Sequence, residues 1–379
     1  MSILLASTLL LAQVPGEADV QRLDPQVLAS AAQVGVHLPA TIPANWQALP
    51  VPAAQPPLAG TMAPWPTVDW SVSTPAAQGM DQQLIDVGFN YAQNRSSNAL
   101  LVIRNGYIVS EWYAGGWAQN DREDGFSMAK SVSSAMYGVA LQERIFQSPF
   151  EPVSDYVTEW DDPAHRDVEI RHLLSMTSGL HWDIFTDYVL LGLAFDQSQF
   201  AVSLGMDADP GTTWVYNNAA CQVLAETFLR RTGRQLHEYW QARVADVIGM
   251  HDATWMTDFV GNTLTYRSVN ASAREFAKFG YLFLREGEWD GQRVMPQRWV
   301  DVSTRPSQDL NPFYGLLWWL NTGRLEMPSV PADAYYAAGL GEKRIYVVPS
   351  KDLVVIRLGP GNLFWDDDAF LGPICDAVY

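Results

Sequence analysis

Asn105-Gly106 stands between two alternating apolar runs, ALLVIR and YIVSEWY, and that dipeptide in that setting is the strongest short-range signal for a tight β-hairpin. A second hairpin pattern lies near the other end of the chain: RIYVVPS, a Lys351-Asp352 turn, then LVVIRLG, with a short segment to Tyr379 that has helical character. Residues 153–259 read mostly as helix, most clearly over 219–231 and 236–247, with Gly233 placed to stop the first. A further helical pattern covers 80–94. Strands that segregate to the two ends of a chain, instead of alternating with helices, predict an α+β fold. The expectation is one antiparallel sheet flanked by N- and C-terminal helices, with a largely helical region inserted between its halves. In residue numbers, 70–150 and 260–379 form the sheet region and 151–259 the insertion. Residues 1–69 form a signal-like segment and a leader in which prolines crowd together.

Charge and cysteine usage exclude several classes of function. Twenty-four basic residues against 42 acidic ones leave 24 − 42 = −18, which opposes the phosphate neutralisation that a nucleic-acid partner requires. Two cysteines, Cys221 and Cys375, are too few for a disulfide framework and read as small buried apolar residues. No apolar run approaches the 18 residues of a membrane-spanning helix. The stretch ILLASTLLLA at residues 3–12 has the length of an export signal core but lacks a preceding Lys or Arg, so export is expected weakly and a cytoplasmic site stays open. No His/Glu spacing suits a metalloprotease and no Gly-rich phosphate loop is present, so neither metal nor organic cofactor is expected. Residues 366–368, three consecutive aspartates, read as a solvated charge run. The partner expected is a small molecule, and the oligomeric state is open.

Ser127 is the residue around which chemistry gathers. GFSMA falls one residue short of a nucleophile elbow, and the preceding DRED reads as an acidic loop, not the strand such an elbow needs. Ser127-Met128-Ala129-Lys130 instead opens an amphipathic helical stretch. Three residues apart on a helix, a hydroxyl and an ammonium share a face. A serine becomes nucleophilic when a neighbour takes its proton, and a helix N-terminus offers amides to a developing oxyanion. With four lysines and 24 serines in 379 residues, chance alone supplies an S-x-x-K about a quarter of the time. The second element, Tyr216-Asn217-Asn218, follows the Pro210-Gly211 turn and also opens a helix. Plainer roles exist for each: a cap and a surface charge for Ser127 and Lys130, a core aromatic for Tyr216, an N-cap for Asn218. Thr177-Ser178-Gly179 reads as a helix C-terminus, and Trp182, Phe185, Tyr188 and Trp214 as walls of an apolar pocket.

FSMAKS, RHLLSMTSGL, PGTTWVYNN and IYVVPSKDLVVIRLG occur in that order, and with them the sequence resembles the serine β-lactamase and penicillin-recognising hydrolase superfamily. The resemblance is to its class C-like branch, which also holds carboxylesterases, D-amino-acid amidases and 6-aminohexanoate-dimer hydrolases. It implies the β-lactamase/transpeptidase-like fold and a serine hydrolase that works through an acyl-enzyme on ester or amide bonds. A β-lactamase or D,D-peptidase is the alternative, and a catalytically silent binding module with the same fold is another. By position the resemblance makes Ser127 the nucleophile, Lys130 its activating partner and Tyr216 the general base or acid, leaving open which of the latter two accepts the proton. It makes Asn218 a substrate-orienting amide and places Gly339 and Leu340 on the oxyanion side of the site, with no metal. The departure is at Ala337-Ala338-Gly339, where relatives carry Lys-Thr-Gly or His-x-Gly. The cation that assists binding of a substrate carboxylate is absent at Ala337, and Lys343 or Arg344 are the candidates to replace it.

Overall fold

A computed structural model describes residues 64–362 and 364–379, so the signal-like stretch at 3–12 lies outside the described residues. Its centre is a seven-stranded sheet of order β1-β3-β2-β12-β11-β10-β9. The N-terminal hairpin supplies β2 (Ala99–Arg104) and β3 (Tyr107–Tyr113). Asn105 and Gly106 both take positive φ, 53° and 81°, the twist that matches a two-residue hairpin to its strands. The C-terminal hairpin supplies β11 (Lys343–Val348) and β12 (Leu353–Leu358), which pairs antiparallel with β2 and so joins the two ends of the chain into one sheet. β10 (Tyr335–Gly339) and β9 (Trp319–Leu320) extend it. One edge departs from the antiparallel expectation: β1 (Ser71–Val72) runs parallel to β3.

Alternation along these strands divides the apolar residues between two faces. Leu101, Ile103, Ile345, Val347, Val354 and Ile356 belong to a large core with helices Met128–Gln142 and Ala273–Leu284. Leu100, Val102, Tyr346, Val348 and Val355 pack under the terminal helices Gln82–Gln93 and Asp367–Asp376. The large core continues into the middle of the chain, where Tyr137 stacks on Phe146 and Phe228 lies tilted against it at 6.4 Å. The sheet and the helical middle are therefore built on shared apolar packing.

The middle is less purely helical than its sequence suggests. Helix Asn218–Thr232 ends at Gly233, which takes φ 71°, and Leu236–Trp240 runs through a π-helical turn, Gln241–Ala245. Strand β5 (Thr254–Trp255) lies there too, pairing with β6 (Val269–Ser272), which also pairs with β4 (Arg122–Asp124). Part of the DRED segment is thus a strand, not a loop, because its backbone completes this small antiparallel sheet. β7 (Glu288–Trp289) and β8 (Gln292–Arg293) form a separate pair.

Two other expectations change. Helix Ile170–Leu174 ends at Ser175, and Gly179, although at φ 75°, lies beyond it in a loop bridged by Leu180 and Met206. The aspartates at 366–368 are not a solvated run: Asp366 caps the last helix, while Asp367 turns inward to pair with Arg344 at 3.1 Å. The described end of the proline-rich leader is docked, with Trp65 packed edge-on to Tyr281 at 5.7 Å. Among the described residues no helix is long and apolar enough to cross a membrane.

Candidate active site

Ser127 stands at the N-terminus of helix Met128–Gln142, whose side chains are buried from Met128 to Leu141. The residue before it, Phe126, takes φ 46°, a conformation an L-residue adopts only when its surroundings impose it. Phe126 N–H donates to Asp124 at the end of β4, and its carbonyl accepts from Ser268 N–H, so the short sheet holds the turn that presents the hydroxyl. Ser127 is half-exposed, and Lys130, one turn on, is 2% exposed.

The Lys130 ammonium donates to Ser127 Oγ at 3.1 Å, to Asn218 Oδ1 at 2.6 Å and to the Tyr266 carbonyl at 3.0 Å. It lies 4.5 Å from the centre of the Tyr216 ring. Burial of an ammonium is costly unless its protons are matched, and here three oxygens from three segments match them. Tyr216 is itself 5% exposed and stacks on Trp319 at 5.8 Å, with Tyr314 edge-on at 6.3 Å. These aromatics fix the ring beside the ammonium.

Asn218 has a different position from the one its sequence suggests. The cap of its helix is Asn217, whose side chain accepts from Ala220 N–H at 2.8 Å. Asn218 is the first helical residue, and its amide is spent inside the protein: Oδ1 on Lys130, Nδ2 on Asp187 at 2.9 Å. Asp187 is a residue that sequence reasoning missed. It sits in a π-helical turn, Thr186–Leu190, is 2% exposed, and accepts a second bond from Ala219 N–H at 3.0 Å. Burial pushes its carboxyl up to about 6, opposed by the two amides and the Lys130 charge. No spacing rule could have found it 57 residues from Lys130; its neighbours Phe185 and Tyr188 drew attention only as aromatics. Tyr266, also missed, contributes its carbonyl, while its hydroxyl, pushed up to about 12 by burial, donates to Gln197 at 2.8 Å.

The opposite wall is the β10–β11 hairpin. A Cβ on Gly339 would lie 2.1 Å from the Gly125 carbonyl, so only glycine lets β10 approach the backbone two residues before Ser127. Leu340 follows immediately. Its carbonyl accepts from Lys343 at 3.2 Å, and Lys343 also pairs with Glu123 at 3.1 Å. Arg344 is committed to Asp367 across the sheet. Ala337, two residues before Gly339 on the same face, is fully buried in the core. Both candidate replacement cations therefore have carboxylate partners already. Behind this hairpin lies Arg357, fully buried, whose guanidinium donates to the carbonyls of Arg95, Ser96, Gly341, Gly359 and Pro360 and to Ser97 Oγ.

The aromatics expected to wall a pocket divide. Trp214 packs on Tyr314 at 5.4 Å and on Trp319 at 6.3 Å, behind Tyr216, whereas Phe185 is 55% exposed on the outer surface. A small cavity of about 70 Å³ opens beneath Trp182, between Met176, Leu180, Val215 and Asn217.

The same architecture recurs in known proteins. A family VIII carboxylesterase superposes with a TM-score of 0.62 at 15% identity, over 82% of this chain and 98% of that one. A penicillin-binding protein from Bacillus halodurans gives 0.60 at 15% identity, over 78% and 100%. In sequence, the 6-aminohexanoate-dimer hydrolase of Paenarthrobacter ureafaciens is 28% identical over 229 residues, 54% of this chain. The matched stretch spans 56% of that relative's length. Residues 76–362, which run from just before the first terminal helix past β12 and include both halves of the sheet, match the Beta-lactamase family, and the chain belongs to that family.

Proposed function

We propose that this protein is a serine hydrolase that cleaves small neutral esters or amides through an acyl-enzyme on Ser127. The observation that carries this is the 3.1 Å contact between Ser127 Oγ and the buried Lys130 ammonium, with Tyr216 packed against the same cation. In the first half-reaction the Lys130–Tyr216 pair starts one proton short, as a phenolate beside the ammonium or a phenol beside the amine, and Ser127 Oγ attacks the carbonyl carbon while its proton fills that place. The carbonyl oxygen becomes an oxyanion facing the N–H groups of Ser127 and Leu340, and the leaving alcohol or amine departs with the proton. In the second, water attacks the ester carbon, gives its proton to the same pair, and returns the Ser127 hydroxyl with release of the acid. Two interacting groups share that proton, so it belongs to the pair and not to one residue.

The substrate class follows from Ala337. No cation stands at that place on β10, and Lys343 and Arg344 are occupied, so a carboxylate beside the scissile bond gains no charge-assisted partner there. The name of the Paenarthrobacter relative makes aminohexanoate dimer an amide to test beside short-chain p-nitrophenyl esters.

A fluorophosphonate probe followed by intact-mass measurement tests the assignment. Wild type is expected to gain one adduct and Ser127→Ala none. Lys130→Ala and Tyr216→Phe are each expected to lower turnover by about a hundredfold or more, the scale of proton-transfer catalysis. An adduct that persists in Ser127→Ala overturns the nucleophile, and a wild type that neither labels nor hydrolyses any ester or amide supports a silent binding module instead.

A further inference from the structure

We propose that Asp187 is a positioning residue for the nucleophile: its carboxylate fixes the Asn218 amide with Oδ1 toward Lys130, and through that amide holds the ammonium against Ser127. This deepens the hydrolase reading and rests on Ser127 being the nucleophile.

The geometry is a continuous chain. Asp187 Oδ2 accepts from Asn218 Nδ2 at 2.9 Å, Asn218 Oδ1 accepts from Lys130 Nζ at 2.6 Å, and Lys130 Nζ donates to Ser127 Oγ at 3.1 Å. An ionised carboxylate only accepts, an ammonium only donates, and a primary amide does one at each end. With an anion on one side and a cation on the other, Asn218 has a single orientation that satisfies both. Reversing it sets an NH2 against an ammonium and a carbonyl against a carboxylate, both repulsive. Asn217 caps Ala220 N–H and Asp187 Oδ1 takes the neighbouring first-turn amide, Ala219 N–H, which leaves Oδ2 free to hold the Asn218 side chain. It is held in a π-helical turn, a backbone irregularity often found at functional sites.

The charge around Asp187 is simple. From the Ser127 helix it faces Lys130. From the Asn218 helix it faces Cys221, whose thiol burial pushes up to about 12. From the segment before β6 it faces Tyr266, whose hydroxyl is likewise pushed up to about 12. Both are neutral in the working range. On its own segment, Asp183 is held down at about 2, first by Thr186, and stays ionised. Burial pushes Asp187 itself up to about 6, so its negative charge, and with it the anionic half of the hold on Asn218, is present above that pH and lost below it, leaving Lys130 alone to orient the amide. His181, on the outer surface between Asp183 and Asp207, is raised from its ordinary value by Asp207 and is the other group that can shape an acid limb.

The experiment compares wild type, Asp187→Asn and His181→Gln from pH 4.5 to 9, using a neutral p-nitrophenyl ester and Tm as a check of folding. Wild-type kcat should fall through a one-proton limb near pH 6 that survives in His181→Gln. Asp187→Asn should lose about tenfold to a hundredfold in kcat at pH 8 with KM nearly unchanged, and should lose that limb. A limb that persists in Asp187→Asn, or disappears in His181→Gln, overturns the proposal. So does a wild-type kcat that is flat between pH 5 and 7, which needs no variant to fold. A readout independent of activity is the Asn218 side-chain 15N–1H resonance, expected to titrate near pH 6 in wild type. If that titration is seen but Ser127 never labels, the hydrolase reading fails and the Asp187–Asn218 coupling stands; if Ser127 labels and the resonance does not titrate, the coupling fails alone.

Discussion

A dry carboxylate is an expensive residue to keep, and Asp187 shows the expense in its own titration. Because its carboxyl is raised to about 6, the folded state binds a proton there that the unfolded state has already lost at the same pH. The stabilisation from that proton is complete below the ordinary aspartate range and is lost as pH rises through about 6. At neutral pH the fold therefore carries an ionised group that burial disfavours. The measurable consequence is differential: the Tm of wild type minus that of Asp187→Asn should increase as pH is lowered from 7.5 to 5. A difference that stays constant across that interval contradicts the ionisation inferred here. The same residue marks how far sequence reasoning reaches at this scale. Ser127, Lys130, Tyr216 and Asn218 are visible because they sit in two short local patterns, each opening a helix. The Tyr266 carbonyl, 136 residues from Lys130, and Asp187, which reaches Lys130 through the Asn218 amide, come together only through the fold, and a backbone carbonyl has no sequence signature at all.

Elements announced by strong local chemistry were legible, and elements stabilised only by distant partners were not. The Asn105-Gly106 and Lys351-Asp352 hairpins are written in turn residues and alternation, and both form. The two-residue strand β5 and three-residue strand β4 have no comparable signal, since each exists by pairing with β6. Asp367 read as solvated because its neighbours are aspartates, whereas its helix turns it toward Arg344 and Tyr346 on the sheet. β10 also packs closely on the turn that leads into the Ser127 helix. Gly339→Ala would drive a methyl group into the Gly125 carbonyl, an obstacle made of backbone that no rotamer change can clear. It should cost about 1–3 kcal/mol in stability by chemical denaturation and lower kcat through the displaced Leu340 amide. Wild-type stability and turnover in that variant would show that the strand has more room than its geometry allows.

At the scale of the whole molecule, a formal charge of −18 opposes the approach of anions before any specific contact is made. Together with the missing cation at Ala337, this ranks substrates: a short-chain neutral ester should exceed nitrocefin in kcat/KM by about tenfold or more, the loss of one charge-assisted bond. Salt separates the two contributions. Raising ionic strength from low to high should improve nitrocefin turnover and leave the neutral ester unaffected, since screening relieves long-range repulsion but cannot supply the absent partner. Efficient nitrocefin hydrolysis, abolished by Arg344→Ala or Lys343→Ala, would instead assign β-lactamase-like activity. Arg357 bears on how such substrates enter. One guanidinium ties the loops at 95–97, 341 and 359–360 together through five backbone carbonyls and a hydroxyl. Those loops cannot swing separately, so the hairpin side of the site behaves as a doorpost. The exposed apolar side chains of the segment that carries Asp187, from Ile184 to Phe195, stand outside that frame.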